Sequence, residues 1–414
     1  MAVTRTKPPR AWLFGLTGIP YGVGGSFVGQ LMPNFAERAG ISLESIGWYT
    51  TLLFVPTWLQ FLYAPVVDLG PSRRHWLIIV ATLGAACFGV ACLMPLPENI
   101  DLFLALAFAG QLLSGLVGSC NGGLMASAMP DDARGKAGGW YNIGNLSGGA
   151  MSAGIIILMA HYKLPPTLIA TTLVIMMIGP SIVALAITEP PAEKQQHVFR
   201  TMLRDVAGVL FSKSGITGFL LCLSPVGTAA LANSFTGMTK PYGATGWLVS
   251  VINGPANAIL CAIGAFVGGR WCDRYNRRVN YLIAGALTAV VGVAMAISPR
   301  SVETYAIGVS AYYLVMGYCF VAFTATVLET IGSGGKAAAT KYTLYTAAGN
   351  AAISYVNFVD TRFEKSHGVE GVVFADALLN IAGVVVLALV SWRLGAFGRW
   401  RHTHKLEPAD ETPP

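Results

Sequence analysis

Apolar runs recur along the whole chain, each about 20 residues long and so able to cross a bilayer core of about 30 Å. Glycine, proline and charge clusters mark their ends. They delimit twelve candidate segments: 11–34, 46–67, 76–95, 102–128, 137–160, 166–187, 215–237, 246–269, 279–298, 304–330, 338–359 and 372–396. The segments are not alike. The third and sixth of each group of six (76–95, 166–187, 279–298, 372–396) are nearly pure Leu, Ile, Val, Ala and Met and suit a lipid-facing position. The first, second, fourth and fifth of each group carry most of the amides, tyrosines and glycines. A three-segment pattern repeated four times predicts two six-helix halves around a central cavity. The fold class expected is an all-α polytopic membrane protein, with twelve transmembrane helices in two pseudo-symmetric six-helix bundles. The expected divisions are an N-terminal bundle (1–187), the longest polar connector as a cytoplasmic linker (188–213), a C-terminal bundle (214–398) and a polar tail (399–414).

Composition agrees. Hydrophobic residues make up 54% of the chain and charged ones 11%, against roughly 25% charged in a soluble domain. The net charge of +7 invites a nucleic-acid reading, but its placement is topological. With both termini in the cytoplasm, the inside loops and tails hold 21 of the 27 Lys and Arg, leaving Arg38, Lys163, Lys240, Arg300, Arg362 and Lys365 outside. That asymmetry is the positive-inside rule. No nucleic-acid partner is expected. The seven cysteines lie in or beside apolar segments without a CxxC pair and read as small buried hydrophobes, so no metal is expected. The polar start Met1–Arg10 and the lack of an A-x-A cut site give no cleavable signal.

A charged phrase occurs twice, about 205 residues apart: Asp68-Leu-Gly-Pro-Ser-Arg73-Arg74 and Asp273-Arg-Tyr-Asn-Arg277-Arg278, each closing one apolar segment and opening the next. A second echo, Gly135-Lys136-Ala137 and Gly335-Lys336-Ala337, opens the fifth and eleventh segments. Charge is costly in such a chain, so matched carboxylates and arginines point to a duplicated transport device. Asp68, Arg73, Arg74, Asp273, Arg277 and Arg278 are the candidate inner gate, the carboxylates holding neighbouring arginines or a helix terminus. The alternative is that the arginines only fix topology.

A solute cavity needs polar side chains within apolar helices. The candidates are Tyr21, Gln30 and Asn34 in the first segment, Gln111 and Asn121 in the fourth, and Asn142 and Asn145 in the fifth. The second half adds Asn233, Asn253, Asn257, Tyr312, Lys341, Tyr345 and Asn350. For any one amide the competing role is a helix–helix hydrogen bond, worth about 0.6 kcal/mol in a membrane. Lys341 either attracts an anionic substrate or snorkels to the interface. The set is rich in amides and tyrosines, which suits a bulky polar solute better than an inorganic ion. Coupling to protons requires a titratable group in the pathway. The candidates lie near segment ends: Asp376 (the deepest), Asp360 and Glu37 outside, Glu329 inside. No Walker motif, HExxH or G-x-S-x-G occurs, so no enzyme, ATP-driven pump or cofactor is expected.

The charged phrases resemble the loop signature of major facilitator transporters, most closely in Gly268-Gly269-Arg270-Trp-Cys-Asp273-Arg274-Tyr-Asn-Arg277-Arg278. Gly18-Ile19-Pro20, Ser45-Ile46-Gly47-Trp48 and Gln60-Phe61-Leu62-Tyr63-Ala64-Pro65-Val66-Val67-Asp68 resemble the branch of muropeptide permeases (AmpG) and acetyl-CoA transporters, which includes some siderophore importers. The resemblance implies proton-coupled uptake of a muropeptide, CoA ester or siderophore-like solute by a monomer in the bacterial inner membrane, working by alternating access. A metabolite or drug exporter, and a non-transporting assembly factor of the same fold, are the rival expectations. The fifth segment lacks the Gly-Pro pair of drug antiporters, which weighs against drug efflux.

Overall fold

A computed structural model describes residues 8–189, 204, 206–235, 238–332 and 337–393, and among them there is no β-strand. The helices follow the twelve apolar segments in order: α1 (13–38), α2 (43–68), α3 (Arg73–Ala91), α4 (Ile100–Ala128), α5 (Asp131–His161), α6 (Pro166–Ala186), α7 (213–234), α8 (Gly246–Arg274), α9 (Arg277–Ile297), α10 (Val302–Ile331), α11 (338–366) and α12 (His367–Val390). Eight of these are helices long and apolar enough to span a membrane. Three of the others are interrupted for reasons the sequence supplies.

α1 passes through a π-turn at Phe27–Leu31, and α2, with Pro56 inside it, bends by 44° at Leu59. α7 is the most disrupted. Its first helix stops at Leu223, because Pro225 has no N–H to continue the ladder. Gly227 (φ +64°) and Ala229 (φ +55°) then take left-handed backbone before the chain re-forms a turn at Ala230–Ser234. The two last segments are less separate than the sequence suggests. Ala338–Arg393 is helical except at Gly368 (φ 63°, ψ −154°), so most of the expected loop 360–371 continues the helix. Its Arg, Glu and Lys are good helix formers, and only the glycine permits the turn.

Helix starts in the second half are capped by side chains that accept from backbone N–H groups: Ser212 from Gly215, Thr245 from Leu248, Asn276 from Arg278 and Val279, and Ser301 from Thr304. The expected lipid-facing helices expose apolar side chains, among them Leu83 on α3, Ile175 on α6, Val290 on α9 and Val385 on α12. Such surface is stable only against hydrocarbon. One buried cluster joins the halves at the end that carries the charged phrases, packing Val117, Leu124 and Met129 with Val327, Leu328, Ala338 and Tyr342. There α5 and α8 cross through glycines. A Cβ on Gly135 would lie 2.7 Å from the Gly269 carbonyl oxygen, and one on Gly139 3.0 Å from that of Ala265.

Candidate functional site

The two charged phrases meet the opposite halves. Asp68, at the end of α2, accepts from the backbone N–H of Ala339 (3.3 Å) and of Thr340 (2.8 Å) and from the Thr340 hydroxyl (2.7 Å). It thus caps the N-terminus of α11. Asp273, at the end of α8, accepts from the N–H of Gly135 (2.6 Å) and Lys136 (2.9 Å), at the first helical turn of the α5 segment. Each carboxylate sits on the unpaired N–H groups and positive dipole end of a helix in the other half. The Gly-Lys-Ala echo at 135–137 is therefore Asp273's receptor. Its counterpart Gly335-Lys336 lies outside the described residues, three to five positions before Asp68's receptor.

Arginines knit the same end. Arg73 Nη2 is 2.8 Å from Asp68, and its Nη1 is 2.9 Å from Glu189. Arg277 crosses to the first half, bonding both the carboxylate (3.0 Å) and the backbone carbonyl of Asp131. Arg134 reaches back to the Leu328 carbonyl at 3.3 Å. Arg278 stays in its own half, with Thr217 (2.9 Å) and Glu329 (3.5 Å). Arg74 is half-buried, and its Nε has no hydrogen-bond partner among the described residues. Asp131, Arg134 and Glu189 are absent from the sequence-derived set; Arg134 follows Asp131 by three residues, where Arg73 follows Asp68 by five and Arg277 follows Asp273 by four.

Inward of these contacts lies a narrow cavity between the halves. About 70 Å³ is reachable by the centre of a water molecule, within about 650 Å³ of unfilled volume that includes its opening to solvent. Tyr21, Asn142, Asn145 and Asn350, all anticipated, line it with Tyr342, together with Gln60, Tyr141, Thr228, Phe320 and Phe323, which were not anticipated. Tyr21 and Tyr141 stack at 6.4 Å. Asn142 Nδ2 crosses the cavity floor to the Thr324 hydroxyl at 2.9 Å and the Phe320 carbonyl at 3.3 Å, and Asn350 Nδ2 reaches the Thr57 carbonyl at 3.3 Å. Two lining atoms are buried without a hydrogen-bond partner among the described residues: Gln60 Oε1 and Thr228 Oγ1. Among the described residues, no Asp, Glu, Lys, Arg or His is in the lining.

The other candidates are placed elsewhere. Asn121 clamps α4 to α1, accepting from the Thr17 hydroxyl at 2.6 Å and donating to its carbonyl at 2.8 Å. Tyr345 donates to the Gly215 carbonyl at 3.1 Å. Asn253 bonds Tyr305 and Tyr313, and Asn257 accepts from the Cys261 thiol. Asn233, exposed, donates to Asn357 at 3.3 Å. Gln111 is buried and Asn34 half-buried, each with a carbonyl oxygen that has no described partner. Gln30 and Glu37 are exposed, and Glu329 pairs with Arg278. Lys341 is buried near the α11 start, outside the cavity lining. Tyr312 donates to Asp376 at 3.3 Å, and Asp360 and Asp376 are both buried away from the cavity.

Paired six-helix halves, with a polar cavity between them and charge clusters at one end, are the arrangement of a membrane transporter. The Major Facilitator Superfamily profile matches residues 14–356, and the chain belongs to that family. Solved structures share its fold. A human organic anion transporter is 15% identical with a TM-score of 0.65, covering 91% of this chain and 98% of that one. The Escherichia coli fucose:proton symporter is 13% identical with a TM-score of 0.67, covering 92% and 99%. A proton:xylose symporter solved with 6-bromo-6-deoxy-D-glucose bound is 13% identical with a TM-score of 0.68, covering 92% and 94%.

Proposed function

We propose that the chain is a secondary transporter of the bacterial inner membrane, a monomer with cytoplasmic termini, that takes up a bulky polar solute by alternating access. The observation that carries this reading is the cavity lining. Side chains from both halves converge on one space, and at the charged end the halves are latched by the two carboxylate caps and by Arg277 on Asp131. On the positive-inside assignment that end is cytoplasmic, so the conformation is closed inside.

The lining also narrows the solute. Four tyrosines (Tyr21, Tyr141, Tyr281, Tyr342), two phenylalanines and several amides offer ring faces and hydrogen bonds but no cation. A polyanionic CoA ester would enter without a counter-charge, at a large desolvation cost. An aryl-bearing chelate of the siderophore kind, with its charges internally compensated, matches the rings and amides. The branch resemblance around 18–76 admits all three solutes, so the choice rests on the lining. A muropeptide, with its carboxylates, ranks between the two. Protons are the proposed coupling ion.

The test is uptake into proteoliposomes of the purified protein, offering ferric siderophores, anhydro-muropeptides and acyl-CoA, each with and without an inward proton gradient. Gradient-dependent accumulation of a ferric siderophore alone is the expected result. Accumulation of acyl-CoA instead would overturn the reading of the neutral lining. Efflux under a reversed gradient, with no uptake, would favour the exporter.

A further inference from the structure

Asp360 and Asp376 are 1% and 0% exposed. Neither Asp360 oxygen has a hydrogen-bond partner, nor does Asp376 Oδ1, and no lysine, arginine or histidine pairs with either carboxylate among the described residues. Every other described acid that is buried at the charged end has an arginine or a helix start. The titratable groups that act on the pair are each other, Tyr312 and Cys319 of α10; α7 contributes only backbone and neutral side chains. Burying two unpaired ionised carboxylates costs many kcal/mol, so the pair calls for neutralisation by a bound cation.

The surroundings connect this pair to the cavity. Asp376 Oδ2 accepts from the Tyr312 hydroxyl (3.3 Å) and the Asn380 amide (3.4 Å), and the Leu231 N–H, in the re-formed turn of α7, also reaches Asp376. The Asn380 amide donates to the Asp376 carbonyl at 2.9 Å, while its Oδ1 accepts from the Gly227 N–H at 2.9 Å. Gly227 and Thr228, in the unwound stretch of α7, form part of the cavity wall. Asp360 lies 20 residues along α11 from Thr340, about 30 Å at 1.5 Å per residue. The pair is thus at the end of the bundle opposite the carboxylate caps.

We propose that Asp360 and Asp376 form a binding site for one dehydrated monovalent cation, a proton or Na⁺, and that Asn380 relays its occupancy to the cavity wall. A cation on the carboxylates weakens the Asn380 and Leu231 bonds to Asp376, and the unwound stretch of α7 is the element free to respond. Unwound helix segments serve ion sites in other membrane folds because their backbone is not committed to a ladder. The coupling role rests on the transporter reading above; the site itself does not.

The experiment uses the full-length protein in nanodiscs. Binding of ²²Na⁺ is read by scintillation proximity, and protonated carboxyls by their C=O band in infrared difference spectra across a pH titration. Saturable Na⁺ binding, weakened about tenfold or more in both Asp360→Asn and Asp376→Asn, establishes the sodium form. A titrating carboxyl band that either variant diminishes and the double variant abolishes establishes the proton form. Asn380→Ala, which leaves both carboxylates in place, is expected to keep the binding signal while uncoupling solute uptake from the gradient. If the aspartate variants fail to fold, Tyr312→Phe is read instead, with an expected shift of about threefold in cation affinity. Neither Na⁺ binding nor a carboxyl band that responds to these substitutions overturns the site. Cation binding without uptake of any solute would overturn the transport reading and leave the site standing.

Discussion

Asp68 and Asp273 do the same job with different supports. Each is a carboxylate on the N-terminus of a helix in the opposite half, but Asp68 has three donors from that half and Asp273 has two. Asp68 is also neutralised at close range by its own Arg73 at 2.8 Å, whereas Arg277 is 3.8 Å from Asp273 and spends its better contacts on Asp131. In the first phrase, then, the arginine supports the acid that crosses between halves. In the second, acid and arginine cross separately. A duplicated motif has diverged into one strong latch and one latch divided between two weaker contacts.

The largest expected effect follows from the first. Asp68→Asn removes a fully buried charge that faces two N–H groups, a hydroxyl and a guanidinium. Truncating one partner of such a buried pair costs about 2–5 kcal/mol, and an asparagine that keeps one acceptor falls at the low end. Uptake is expected to drop roughly tenfold or more at unchanged protein yield, one decade per 1.4 kcal/mol. Alkylation of a cysteine introduced at the charged end should rise in parallel as the latch opens. Asp273→Asn comes second, with a loss of a few-fold, because Arg277 still holds Asp131. Equal losses, or a reversed order measured on initial rates per reconstituted protein, would remove the distinction between the two latches.

Arg277→Lys probes the divided latch from its other side. A lysine keeps the charge but cannot engage the Asp131 carboxylate and carbonyl together, since only the planar guanidinium presents two donors in a fork. The expected cost is about 1 kcal/mol or less, close to that of a partly exposed ion pair, because the Asp131 side chain is 67% exposed. It should add to Asp273→Asn with little coupling, as two crossings acting apart would. Strong non-additivity in a double-mutant cycle would show instead that they act as one unit.

Much of this was legible in the chain. The apolar periodicity gave the order of the helices, and the repeated phrases marked the charged end, because charge in such a sequence has few other uses. The receptors were half visible: Gly135-Lys136-Ala137 stood out as an echo, but nothing local shows that a glycine at 135 leaves room for an aspartate 138 residues away. The cavity was read less well. Asn121, Asn142 and Asn145 look alike in sequence, yet Asn121 faces Thr17 across a tight α1–α4 contact while the other two line the cavity. That difference depends on how each helix is rotated, which a segment apolar on every side does not encode. Tyr141 escaped notice for the converse reason, since a tyrosine is equally at home in a buried core.

The smallest predicted effect isolates what makes the first latch the stronger. Thr340 gives Asp68 a hydroxyl hydrogen bond at 2.7 Å, and the corresponding position on α5, Lys136, offers only its backbone. Thr340→Val keeps the shape and both N–H donors and deletes that one bond, worth about 0.5–1.5 kcal/mol net, or somewhat more because the acceptor is charged. Uptake is expected to fall by no more than several-fold, which would bring Asp68's latch down toward the strength of Asp273's. The measurement is the ratio of the Asp68→Asn effect in the Thr340→Val background to that in the native chain. A ratio well below one assigns part of the latch to the hydroxyl. A ratio of one leaves the helix terminus and Arg73 as the source of its strength, and the extra donor as a bystander.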